Sequence, residues 1–85
     1  MARRHEAALA LTGRGERRII AAYKALSPEA TRTTRGASVA LSIGDGTLFL
    51  RFGADTIPAL RALVNSYLRW LSMIEEILDI MEEST

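Results

Sequence analysis

Apolar and polar positions alternate in three short stretches of the chain and recur at three- and four-residue spacing in two longer ones, which predicts the order β-α-β-β-α. From His5 to Thr12, Ala7, Leu9 and Leu11 share one face, the period of a half-buried strand. Gly13-Arg14-Gly15 reads as a turn, and Glu16 opens a helix with an acid in its first turn, where the macrodipole favours it. Ile19, Tyr23 and Leu26, with Ile20 and Ala22 beside them, form one apolar stripe. Pro28 is expected to stop this helix, because the residue before a proline is pushed out of the helical region. A polar connector, Glu29 to Arg35, should follow.

Val39, Leu41 and Ile43 then alternate with Ser38, Ala40 and Ser42, and Leu48, Leu50 and Phe52 alternate with Thr47, Phe49 and Arg51. Between these runs Gly44-Asp45-Gly46 marks a hairpin turn, its glycines supplying positive φ. Asp55 or Thr56 can cap the amides of a long final helix, and Pro58 suits its first turn, where a missing N–H costs nothing. An α+β fold follows, with a three-stranded antiparallel sheet and two helices packed on one face, as one domain over residues 1–85.

The last helix carries more apolar surface than such a fold needs to cover. Leu60, Val64, Tyr67, Leu71, Ile74, Leu78 and Met81 keep an unbroken 4-3 alternation. Leu63, Trp70, Met73, Ile77 and Ile80 form a second stripe beside it, and Leu68 extends the other side. Together they span roughly two-thirds of the helix, whereas a helix lying on a sheet needs little more than about 100°. Five large apolar side chains left in water would forgo about 8–15 kcal/mol as an upper bound, as much as whole domains have in reserve. The pattern therefore predicts a protein-interaction surface.

Charge adds a second asymmetry. Net charge is +1, yet all eleven basic residues lie at or before Arg69, against five acids, and the last fifteen residues hold five acids and no base. The basic part could face an anionic partner such as nucleic acid; ten of its eleven cations are arginine, which suits phosphate. Arg14, Arg17 and Arg18 surround the start of the first helix, where free amides also favour an anion. Arg61 and Arg69, on the polar sector of the last helix, could contact phosphate or cover that face with equal ease. The acids Glu75, Glu76 and Asp79 oppose the helix dipole, so they serve solubility or a basic partner.

Catalytic chemistry has little to stand on. There is no cysteine, and His5, the only histidine, lies in an expected flexible end. The Glu75–Asp79 spacing is that of a solvated helix face, and Gly13-Arg14-Gly15 is too short to cradle phosphate. No catalytic residue, metal site, cofactor or small-molecule substrate is expected. The apolar run from Leu60 to Met81 is broken by charges, and no signal-type segment opens the chain, so a soluble, cytoplasmic protein with no membrane contact is expected.

The run Ala54-Asp55-Thr56-Ile57-Pro58-Ala59-Leu60-Arg61-Ala62-Leu63-Val64-Asn65-Ser66-Tyr67-Leu68-Arg69-Trp70 resembles the Pcc-type small subunit of the KEOPS (EKC) complex, a family that includes the LAGE-type antigens. The element order and the length, close to that of archaeal members, carry the likeness across nearly the whole chain. Ala54 stands where the family pattern has a further acid; a cap remains. The resemblance implies a non-catalytic homodimer whose helices bundle with those of the KEOPS catalytic subunit. That subunit transfers a threonylcarbamoyl group to an adenosine of certain tRNAs. It puts the protein interface on Leu60, Leu63, Val64, Tyr67, Leu68, Trp70, Leu71 and Ile74, and makes Arg14, Arg17, Arg18, Arg61 and Arg69 candidates for contact with tRNA inside the complex. Two other readings stay open at this point: a stand-alone RNA-binding module, and a generic dimerising protein with no RNA role.

Overall fold

The computed structural model describes residues 4–30 and 36–83. Strand β1 covers His5–Leu11, helix α1 Glu16–Ala30, strand β2 Ala37–Gly44, strand β3 Thr47–Ala54 and helix α2 Ile57–Glu83. The three strands form one antiparallel sheet in the order β1-β3-β2, with both helices on one face. The hairpin seats β3 beside β2, and β1 closes its other edge. Cross-strand rows follow from the register: Ala7–Phe52–Val39, Leu9–Leu50–Leu41 and Leu11–Leu48–Ile43 point to the helices. Ala8–Arg51–Ala40 and Ala10–Phe49–Ser42 lie on the opposite, open face.

The core forms where β3 meets both helices. Leu48, Leu50 and Phe52 of β3, Ile19, Ala22 and Leu26 of α1, and Tyr67 and Leu71 of α2 are its buried residues. The Tyr67 ring meets Phe52 edge-on at 5.4 Å and Trp70 at 5.0 Å, the geometry aromatic quadrupoles favour. Thr56 is the N-cap of α2: its Oγ1 accepts a hydrogen bond from the Ala59 amide at 3.2 Å.

Local chemistry differs from the sequence expectation at three places. Helix α1 does not stop before Pro28 but runs through it to Ala30, so Glu29 and Ala30 of the expected connector are helical; its remaining residues, 31–35, lie outside the described residues. A proline there removes the bond to the Lys24 carbonyl, and both residues sit on the exposed side, where water can solvate that oxygen. His5 is no loose end; it pairs with Ala54 at the start of β1. In the hairpin the positive φ angles fall on Asp45 and Gly46, while Gly44 stays in β2 opposite Thr47. Two consecutive positive φ angles make the tight two-residue turn whose twist matches that of the strands.

Helix α2 is longer than anything it packs on. Its 27 residues extend about 40 Å, against about 27 Å for an eight-residue strand. The molecule is correspondingly elongated, with a long axis of 53 Å. Among the described residues no helix is long and apolar enough to cross a membrane.

Candidate functional site

The overhang of α2 is where the surplus apolar surface collects. Met73, Ile77, Ile80 and Met81 are 52%, 55%, 62% and 59% exposed, and Leu68 is also exposed on another side of the helix. Met73, Ile77 and Ile80 follow i, i+4, i+7 spacing and so form one strip. These side chains belong to the stripes visible in the sequence. Which members of the stripes stay uncovered is decided by the side of α2 they occupy as well as by their distance past the sheet: Met73 is exposed although Ile74, the next residue, packs against the core.

The residues assigned to an interface from sequence divide into three groups. Tyr67 and Leu71 are buried in the chain's own core. Leu60, Leu63, Val64, Trp70 and Ile74 are half-buried and pack against that core, each keeping an outward edge. Leu68 is exposed. Helix α1 and the sheet therefore cover the central seam, and the uncovered part lies on the flanks of α2 and beyond Leu71.

The basic residues are likewise separated. Arg18, on the first turn of α1, is surrounded by carboxylates from three turns of α2. Its Nη1 donates to Glu75 Oε2 at 3.3 Å, its Nη2 donates to Asp79 Oδ1, and its Nε lies 3.2 Å from Glu82 Oε1. Arg14 adds a contact of 3.9 Å to Glu75. The Arg18 and Glu75 side chains are only 15% and 19% exposed. The guanidinium pKa is raised by the hydrogen bond to Asp79 and by the charges of Glu82, Asp79 and Glu75, against the opposing effect of burial.

Glu75 and Asp79, two of the three acids that oppose the α2 dipole, thus meet a basic partner within the same chain, while Glu76 is exposed; Glu75 does not lie on a solvated face. Sequence spacing could not reveal this, because 57 residues separate Arg18 from Glu75. Arg17, Arg61 and Arg69 are exposed. Arg61 lies 14 residues before Glu75, about 21 Å along the helix, so the structure does not gather the five arginines into one patch.

Two further cations escape the sequence reading. Arg51 stands on the open face of β3 between Ala8 and Ala40, one row from Phe49, which is also exposed. Arg4 donates to Ser38 Oγ at 3.0 Å and lies 4.0 Å from Asp55. The alternation along β3 was the available signal: residues that point away from Leu50 and Phe52 had to face outward. Among the described residues no group of three or more histidine or acidic side chains is arranged to hold a metal ion.

Comparison with known proteins agrees with this architecture. The family model described as Transcription factor Pcc1 matches residues 15–79. A chain of the crystal structure of the binary complex Gon7-Pcc1 superposes with a TM-score of 0.79 at 25% sequence identity, covering 91% of this chain and 95% of that one. Comparison with curated proteins finds no match.

Proposed function

The chain belongs to the Pcc1 family, and on that premise we propose that it works, as one domain over residues 1–85, as a non-catalytic assembly subunit of a KEOPS-type complex. In this reading it pairs with a second copy of itself, docks helices of the catalytic subunit, and helps hold the tRNA whose adenosine that subunit modifies. The observation that carries the reading is the uncovered strip on α2. Four side chains, each more than half exposed, leave about 3–6 kcal/mol of burial to be gained if a partner covers them. Contiguous apolar surface of this kind marks an interaction site. That a fold relative was crystallised as a binary complex with another protein supports the same reading.

The site geometry also selects the experiment. A charge placed at Tyr67 would unfold the core and report nothing about docking. Ile77→Gln with Ile80→Gln changes only exposed positions and keeps good helix formers. This double variant should keep its thermal stability and lose at least about tenfold in affinity for the catalytic subunit, measured by titration calorimetry. Unchanged affinity would remove this strip of α2 from the interface with that subunit. Light scattering of the isolated chain at micromolar concentration should give a dimer; a clean monomer contradicts the pairing. For tRNA, Arg17→Ala, Arg61→Ala and Arg69→Ala should each weaken binding by the assembled complex and lower its salt dependence.

A further inference from the structure

We infer that Arg18 is a positioning residue, a cross-helix clamp that keeps the overhanging turns of α2 helical and so presents the apolar strip to its partner. The second half of this statement rests on the assembly reading above; the first does not. The last buried residue of α2 is Leu71, and the last that packs against the core is Ile74. Beyond it the helix continues for nine residues to Glu83. Their charges disfavour a free helix. No base stands in the last turn, and the acids oppose the dipole. Glu75 and Asp79, and Asp79 and Glu83, repel each other at i, i+4, while Ile77 and Ile80 are β-branched.

Arg18 reverses that balance from outside the helix. One guanidinium meets Glu75, Asp79 and Glu82, carboxylates from three successive turns, so a single side chain offsets part of the repulsion and ties those turns to α1. The planar fork with its five donors is what allows three partners at once; a lysine ammonium, a point charge, cannot span them. Leu78 and Met81 lie beside Arg17 and Arg18, so the same contact places the apolar side chains of these turns. A guanidinium held in this way is occupied, which separates Arg18 from the exposed arginines proposed for tRNA.

Hydrogen exchange on the full chain, read by mass spectrometry, tests the clamp. Arg18→Gln should speed exchange of amides 75–83 by about fivefold, the upper end of what a surface ion pair contributes, and leave the amides of β3 unchanged. Arg18→Lys should restore part of the protection. Arg18→Lys, which keeps the charge and loses the fork, serves if Arg18→Gln folds poorly, and should still leave amides 75–83 less protected than in the wild-type chain. In a chain carrying Glu75→Gln and Asp79→Asn, where the repulsion and two partners are both gone, Arg18→Gln should change that protection far less. Unchanged protection of residues 75–83 in Arg18→Gln, or an equal effect in both backgrounds, overturns the clamp.

A second measurement addresses presentation: Arg18→Gln should dissociate faster from the catalytic subunit, and unaltered dissociation with loosened turns overturns that half. Should the wild-type chain not bind the catalytic subunit at all, the assembly reading falls, while exchange still decides the clamp. Loss of tRNA binding by Arg18→Gln with the turns still protected would make Arg18 a phosphate contact and overturn the proposal.

Discussion

Strand β3 and the last three turns of α2 carry similar apolar cargo and meet opposite fates. Leu48, Leu50, Phe52 and Ala54 are buried; Met73, Ile77, Ile80 and Met81 are all more than half exposed. The side chains do not explain the difference, since both sets are large and aliphatic or aromatic apart from one alanine. Position does. Strand β3 is paired on both edges and covered by two helices on one face, whereas α2 outruns the sheet and has only the start of α1 beside its end. Apolar content thus measures how much surface seeks cover, and the lengths of neighbouring elements, together with the side of the helix turned towards them, decide whether the chain itself supplies it.

The comparison breaks most visibly at Phe52. Phe52→Ala removes a fully buried ring that also meets Tyr67, and should cost about 3–5 kcal/mol in denaturant unfolding. Ile80→Ala, a truncation of an exposed side chain, should stay within about 0.5 kcal/mol. Equal costs for the two would mean that the overhang is covered in the free chain. The next effect in size concerns the joint between the regions: Thr56→Ala deletes the cap of α2 and should cost about 1 kcal/mol, seen as a lower unfolding midpoint with an unchanged slope.

The smallest effect is a pH dependence. Burial, aided by the charge of Glu29, raises the Tyr67 pKa above the ordinary tyrosine value of 10.0. The folded chain therefore keeps this proton where the unfolded chain has released it. The stability linked to Tyr67 is fully present below about pH 10 and declines as pH rises through the folded value. Tyr67→Phe should flatten the stability curve above about pH 10; an unaltered slope would assign alkaline unfolding to other groups.

Much of this architecture was legible in the residues because it is written in local periods. Alternation marked the strands, Pro58 with a cap at Asp55 or Thr56 marked the start of α2, and the 4-3 spacing marked its seam. The errors arose where local rules met tertiary compensation. Pro28 is accommodated because it and Lys24 lie on the exposed side of α1, and the positive φ at Asp45 comes from a turn that the strand twist selects. The interface residues show the same limit. Tyr67 and Leu71 are indistinguishable by spacing from Ile74 and Leu78, yet the first pair sits over β3 and is buried, and the second pair stands further out.

By itself the sequence determined the element order, the two faces of each strand, and the presence of more apolar surface on α2 than a small fold can hide. Those properties follow from backbone geometry, which repeats every two or 3.6 residues whatever lies nearby. Only the tertiary structure decided that β3 is central, that Arg18 reaches three carboxylates far along the chain, and which apolar side chains remain outside. Those outcomes depend on how long each element is relative to its neighbours and on contacts between residues distant in sequence, quantities that no local period contains.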